Sequence, residues 1–196
     1  MRKIPTLFVR NPDDRRYVLP EVTPGCAWVL AGEGAATRKF DGTCVMFDGT
    51  DWWARREVKP GKIPPPGYVA LSTDEVTGRT VGWEPIKQSS FATFHAEAVA
   101  NVQVPTVPAR PFAPGTYELI GPKINGNPEG RKSHRLILHA EADVVSLPGR
   151  DFDTVRQTVL QLAEIDHAEG IVFHRNPGDP NTEMAKIKAR DFPKSL

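Results

Sequence analysis

The sequence is poor in cysteine: Cys26 and Cys44 are its only two in 196 residues. Two thiols are too few for a disulfide framework or a four-ligand zinc site, and they read as reduced side chains of a cytoplasmic protein. No apolar run approaches the ~18 residues of a membrane span. Nor is Met1-Arg2-Lys3 followed by the apolar stretch of a secretion signal. A charge excess is also missing, since 25 Lys and Arg against 24 Asp and Glu leave +1. That excludes a histone-like tail or a polyacidic segment, so any basic surface must come from local clustering. Nothing repeats at a fixed period and no low-complexity linker divides the chain, which predicts one domain over residues 1–196.

Proline is what the chain has in plenty, 19 residues or roughly twice the usual ~5%. Breakers gather at Lys59–Gly67, at Val104–Pro114 and at Asn176–Asn181, all of which read as surface loops. Between them lie short segments of β-branched and aromatic residues. Cys26–Ala31, Thr43–Phe47, Trp52–Val58, Thr116–Ile120, Arg135–Ala140, Gly170–His174 and Met184–Ala189 read as strands, with Asp48-Gly49 as a hairpin turn. Asp151–Ile165 carries Phe152, Val155, Val159 and Leu162 at helical spacing behind an acidic cap. Ser89–Val99 is a second helix. Many strands, two helices and no βαβ alternation predict an α+β domain with two largely antiparallel sheets flanked by helices.

Three polar constellations interrupt this pattern. Arg38-Lys39-Phe40-Asp41-Gly42 falls just ahead of a strand; its Lys-x-Asp-Gly core is expected by chance roughly 0.05 times in a chain this long. In Met184-Ala185-Lys186-Ile187-Lys188 a strand puts both lysines on one face about 7 Å apart, where an anion or open solvent must relieve their repulsion. Glu118 and Glu169 each precede an apolar run, in Tyr117-Glu118-Leu119-Ile120-Gly121 and Glu169-Gly170-Ile171-Val172-Phe173. Singly, each constellation reads equally well as a solvated turn, an edge strand or a strand end.

Their order is more specific. Lys-x-Asp-Gly, then Tyr-x-Glu-φ-φ-Gly with φ apolar, then Glu-Gly-Ile-Val-Phe, then Lys-x-Lys resembles the covalent nucleotidyltransferases, which comprise ATP-dependent RNA and DNA ligases and capping guanylyltransferases. The resemblance runs from about residue 36 to residue 189. Trp53–Lys62 and Glu118–Gly130, the latter with Gly121-Pro122-Lys123-Ile124-Asn125-Gly126-Asn127-Pro128, are most similar to a small RNA ligase family. It implies a nucleotidyltransferase fold akin to ATP-grasp, ATP as substrate and Mg²⁺ or Mn²⁺ as cofactor. Lys39 is then the nucleophile that becomes a lysyl-adenylate, with Lys186 and Lys188 as the catalytic cationic pair. Arg38, Asp41, Gly42, Arg55, Glu118, His139 and Glu169 are expected to bind the nucleotide. Glu118 and Arg55 take its ribose, and Glu169 also contacts the metal.

A lysine amine has a pKa of ~10.4, so attack at neutral pH needs nearby cations that disfavour the ammonium. Those same cations stabilise charge developing on the α-phosphate. The AMP is then expected to pass to an RNA 5′-phosphate, which a 3′-hydroxyl seals. Arg56, Lys59 and Lys123 are the main candidates to bind RNA phosphates, with Arg15, Arg16, Arg131, Lys132 and Arg135 behind them. Trp52, Trp53 and Trp83 could stack on bases but read foremost as core. No ligand spacing links His95, His134 and His167.

The sequence departs from the family pattern twice. Leu196 ends it eight residues after Lys188, so no oligonucleotide-binding barrel is expected to follow. The position of the base-stacking aromatic falls near Leu138-His139, which leaves His139 as the stacking candidate. The competing functions are a capping-type guanylyltransferase or DNA nick ligase with the same chemistry, and a nucleic-acid end-binding module without catalysis.

Overall fold

The computed structural model describes residues 4–102, 112–177, 179 and 182–193. Among these the chain is α+β, with three antiparallel sheets and three α-helices. The sheets have six, three and two strands. The chain divides into two compact units, one built on Gly42–Glu141 and the other on Ile4–Asp41 with Ala142–Leu196.

The second unit opens with β1 (Phe8–Arg10) paired to β2 (Val18–Val22). One helical turn, α1 (Ala27–Leu30), leads into β3 (Ala35–Lys39). Thr23-Pro24-Gly25 and Gly32 bracket this turn, and both glycines take positive φ. A short apolar run has the same composition in a buried helix as in a strand. Cys26–Ala31 is thus a helical turn rather than the expected strand, burying Trp28 and Val29.

Later in this unit come α3 (Phe152–Asp166), β10 (Gly170–His174) and β11 (Met184–Lys188). Asp151 caps α3, its Oδ1 accepting from Thr154 N at 3.0 Å and its Oδ2 from Thr154 Oγ1 at 2.6 Å. The strands form a sheet of order β11-β10-β3. Ala36, Ile171, Phe173, Ala185 and Ile187 point from it into a core with Val155 and Val159 of α3. Fully burying a side chain such as Ile171 or Phe173 contributes about 1.5–3 kcal/mol, which fixes the face that turns inward. Strand alternation then sends Thr37, Lys39, Val172, His174, Lys186 and Lys188 to the opposite face.

The other unit is a six-stranded sheet made of β4 (Thr43–Phe47), β5 (Trp52–Val58), β6 (Val69–Thr73), β7 (Thr80–Pro85), β8 (Gly115–Ile120) and β9 (Arg135–Leu138). Its order is β6-β7-β5-β4-β8-β9. The β4–β5 hairpin turns at Asp48, whose Oδ1 accepts from Thr50 N and Asp51 N, both at 2.8 Å. Val45, Ala54, Tyr117 and Leu119 bury one face against helix α2 (Ala92–Val102). Cys44, Met46, Trp53, Arg55, Thr116 and Glu118 therefore share the other. The breaker stretch 104–114 lies outside the described residues up to residue 111, as do 178, 180 and 181 of the third breaker cluster.

Candidate functional site

In the three-stranded sheet, Gly170 pairs with Lys39 on one side and Lys188 on the other. The two lysines thus flank a residue that has no side chain. A Cβ on Gly170 would overlap the Ile187 carbonyl oxygen and stand 2.7 Å from Lys188 Cα, so the close approach of β10 to β11 requires glycine here. Glu169, one residue earlier, spans the gap. One of its carboxylate oxygens is ion-paired with Lys39 Nζ and the other with Lys188 Nζ. Arg190 Nη2 stands 3.9 Å from the carboxylate. Lys39, Glu169 and Lys188 side chains are only 19%, 11% and 15% exposed, so this is a sheltered cluster rather than a surface ion pair.

Burial pushes the Glu169 carboxyl up, but the charge of Lys39 and the hydrogen bonds from Lys188 and Lys39 outweigh it. The group sits below the usual glutamate value. Three cations against one carboxylate leave the cluster with a positive surplus suited to an anion. Lys186 lies two residues from Lys188 on the same face, opposite Val172. The β11 end is pinned by Asp191, which is buried; its Oδ2 accepts from Lys188 N at 2.9 Å and its Oδ1 from Arg10 Nη2 at 2.7 Å.

Arg38 is not brought to this cluster. As the neighbour of Lys39 it faces the α3 side of the sheet, where its Nη2 donates to the Asp166 carbonyl at 2.7 Å and its guanidinium covers the Phe40 ring. It borders an open groove of about 520 Å³ with Asp143, Val144, Thr158, Leu162 and Ile165. Asp41 occupies the turn after β3.

The six-stranded unit holds a separate polar group. Glu118 on β8 accepts from Gly42 N through Oε1 at 3.1 Å. Its Oε2 lies 2.9 Å from His139 Nε2, and His139 Nδ1 lies 2.9 Å from Thr116 Oγ1. A Cβ on Gly42 would stand 2.8 Å from Glu118 Cγ, which gives the last residue of Lys-x-Asp-Gly its physical reason. Asn125 Nδ2 donates to the Gly42 carbonyl at 2.9 Å. On the same sheet face Arg55 carries a buried Nε with no hydrogen-bond partner among the described residues, a donor left for a ligand.

Of the candidates for RNA contact, Arg56, Lys59, Lys123, Arg15, Arg16, Lys132 and Arg135 are exposed and Arg131 is half-buried. Trp52 packs against Phe47, His95, Phe112 and Tyr117, which makes it core; Trp83 is buried, and Trp53 donates to Asp48 Oδ2 at 2.8 Å. His95 and His134 are buried, the latter with Glu97 at 2.8 Å, and His167 ends α3 in a left-handed conformation.

Asn125, Thr116, Asp191 and Arg190 joined these groups without being singled out by sequence. Asp191 and Arg190 carried as signal their closeness in the chain to Lys188, Thr116 its place two residues before Glu118 in the expected strand, and Asn125 its place in the segment Gly121–Pro128. A divalent ion fits the cluster only in part. Glu169 offers hard oxygens, but both are engaged, and no group of three His, Cys, Asp or Glu that could hold a metal occurs among the described residues. One engaged carboxylate does not cage a Mg²⁺; it could hold one only where a bound anion supplied further oxygen ligands. No protein-family model matches the chain, and no curated protein is significantly similar to it.

Proposed function

We propose that the chain is an ATP-dependent RNA ligase acting through a lysyl-adenylate on Lys39. The observation that carries the reading is the meeting of Lys39 and Lys188 on the Glu169 carboxylate across Gly170. Three motifs distant in the sequence bring two lysines and one carboxylate together at one end of the three-stranded sheet.

In the first step the Lys39 ion pair opens and the ammonium passes one proton to water, so that the lone pair of the neutral amine attacks the α-phosphorus of ATP. A P–N bond forms, the α–β phosphoanhydride bond breaks, pyrophosphate leaves and the nitrogen releases its second proton to solvent. Lys188 and Lys186 offset the charge that grows on the α-phosphate oxygens. Glu169 would share a Mg²⁺ with the nucleotide phosphates, and that ion would supply further charge neutralisation. In the six-stranded unit, Glu118 as an acceptor and Arg55, whose Nε has no hydrogen-bond partner among the described residues, are the residues that the resemblance assigns to the ribose. An RNA 5′-phosphate oxygen then displaces Lys39 from the adenylate, and a 3′-hydroxyl displaces AMP to close the phosphodiester. Arg56, Lys59 and Lys123 supply exposed positive charge for the RNA strand. Among the described residues no helix is long and apolar enough to cross a membrane, and both cysteines are buried without a disulfide.

The experiment is incubation with α-³²P-labelled ATP or GTP and Mg²⁺, followed by denaturing electrophoresis. Label from ATP, lost in Lys39→Ala while the fold persists, supports the reading. Label from GTP alone makes the protein a capping-type enzyme, and label from neither refutes covalent transfer. Sealing of nicked RNA in preference to nicked DNA decides the acceptor.

A further inference from the structure

The resemblance puts His139 where a ring stacks on the nucleobase, yet its surroundings are those of a different task. It sits in a single 3₁₀ turn, His139–Glu141, directly after β9. Both ring nitrogens are engaged in the plane of the imidazole, Nδ1 by Thr116 Oγ1 and Nε2 by Glu118 Oε2, each at 2.9 Å. Thr116 and Glu118 are alternate residues of β8 and so point from the same face of the sheet, with His139 reaching across from beyond β9. The other Glu118 oxygen is taken by Gly42 N. The carboxylate is therefore held from two directions, by a backbone amide of the nucleophile motif and by an imidazole whose own tilt a hydroxyl fixes.

We infer that His139 is a positioning residue for Glu118, and that through it the site discriminates a ribonucleotide from a deoxyribonucleotide. The inference rests on the nucleotide-binding reading above and assigns within it the origin of sugar selectivity. A carboxylate that merely carries charge near a sugar distinguishes poorly between hydroxyl and hydrogen. One whose lone pairs are aimed leaves itself unsatisfied when the hydroxyl is missing, and that penalty is what makes hydrogen-bonded specificity large. Glutamate has three side-chain torsions, so without a second anchor Glu118 would rotate about the Gly42 contact. The Thr116–His139 pair removes that freedom before the nucleotide arrives.

The test is self-adenylylation measured with ATP and with 2′-deoxy-ATP and 3′-deoxy-ATP, in the wild type and in His139→Ala, His139→Gln, Glu118→Ala and the His139→Ala/Glu118→Ala double variant. His139→Ala is expected to raise the half-saturating ATP concentration roughly tenfold, change the maximal rate far less, and pull the ATP-to-deoxy-ATP preference toward unity. His139→Gln, whose amide can still donate to a carboxylate, is expected to recover much of that preference. In the Glu118→Ala background the histidine substitution is expected to change little, less than about twofold, because its only route to the nucleotide is gone. A sugar preference unchanged in both single histidine variants would overturn the inference, as would independent, multiplicative effects of His139 and Glu118. Loss of discrimination against altered bases with sugar preference intact would make the ring a stacking group instead. Thermal melting identifies an alanine variant that fails to fold, in which case the glutamine variant carries the comparison. A wild-type chain that takes no label from ATP would sink the adenylylation reading itself, and this inference with it.

Discussion

Replacing Glu169 by glutamine keeps the volume of the side chain and removes the one negative charge that Lys39 and Lys188 share. Ammonium groups gripping the two oxygens of one carboxylate stand about 5 Å apart, where at an effective dielectric of ~20 they repel by roughly 3 kcal/mol. Residual exposure lets water and side-chain movement relieve part of this, so the expected loss is about 1–3 kcal/mol. Lys39→Ala alone removes an attraction but leaves Glu169 paired with Lys188, and its cost is smaller, about 1 kcal/mol or less. Charge balance then makes a sharper claim. The Lys39→Ala/Glu169→Gln double variant, with one ammonium and no carboxylate, should be more stable than Glu169→Gln alone, since the repulsion has gone. Urea unfolding at neutral pH reads all three, and raising the salt concentration should shrink the differences. A Glu169→Gln variant as stable as the wild type, or a double variant no more stable than it, would show that the lysines do not share this carboxylate in solution.

Gly170→Ala should force β10 and β11 apart at the Lys188 end, costing about 1–3 kcal/mol and suppressing nucleotide attachment; normal labelling would refute the packing argument. Burial pushes the His95 imidazole down to about 4, and its Nε2 has no partner among the described residues. Because the folded value is depressed, its contribution is complete above the unfolded value of ~6.5 and is lost as pH falls toward 4. That amounts to about 1–3 kcal/mol for a partly sequestered ring. Stability measured from pH 4 to 7.5 should therefore fall less in His95→Phe than in the wild type, and parallel curves would refute it. On the proposed ligase function, Arg56→Ala and Lys123→Ala should self-adenylate normally yet seal RNA more slowly, with a shallower salt dependence. Unaltered sealing would place both outside the acceptor path.

Strand segments rich in β-branched and aromatic residues were legible in the sequence to the residue: Thr43–Phe47, Trp52–Val58 and Gly170–His174 match β4, β5 and β10. Helix α3 was readable from its acidic cap and the spacing of Val155 and Val159. What escaped has physical causes. β3 reads Ala-Ala-Thr-Arg-Lys, with only Ala36 buried, so its pairing rather than its composition makes it a strand. β7 contains Gly82 and Pro85, which signal a break when read locally. Yet Gly82 is required there, since a Cβ would overlap the Val69 carbonyl oxygen and the Tyr68 ring. Ser89–Val99 begins three residues late, at Ala92, because Ile86–Gln88 first forms a 3₁₀ turn and the Ser89 carbonyl accepts from Ala92 N. The two expected strands that ran long, Arg135–Ala140 and Met184–Ala189, both close in 3₁₀ turns, at His139 and Ala189.

The candidate site was legible in a different way, through order along the chain rather than through local pattern. Lys39, Glu169 and Lys188 are each unremarkable charged residues at strand ends. Their association follows from one register, Lys39 opposite Gly170 opposite Lys188, which no window of sequence contains. The glycine after the glutamate is the one local clue: it marks where two backbones must close, and hence where flanking side chains are driven onto a common acid. The side of β3 on which a residue lands was equally decidable by alternation once Ala36 was known to be buried. That separates Arg38 from Lys39 although they are adjacent. For His139 only its position relative to Glu118 was legible, and stacking was the role that the resemblance attached to that spacing. Hydrogen bonds to Thr116 and Glu118 depend on the 3₁₀ turn that ends β9, a backbone feature that side-chain order does not encode. The charged residues of the resemblance leave a trace in motif order, whereas the hydrogen bonds that Asn125, Asp191 and His139 make to Gly42, Lys188 and Glu118 declare themselves only through geometry.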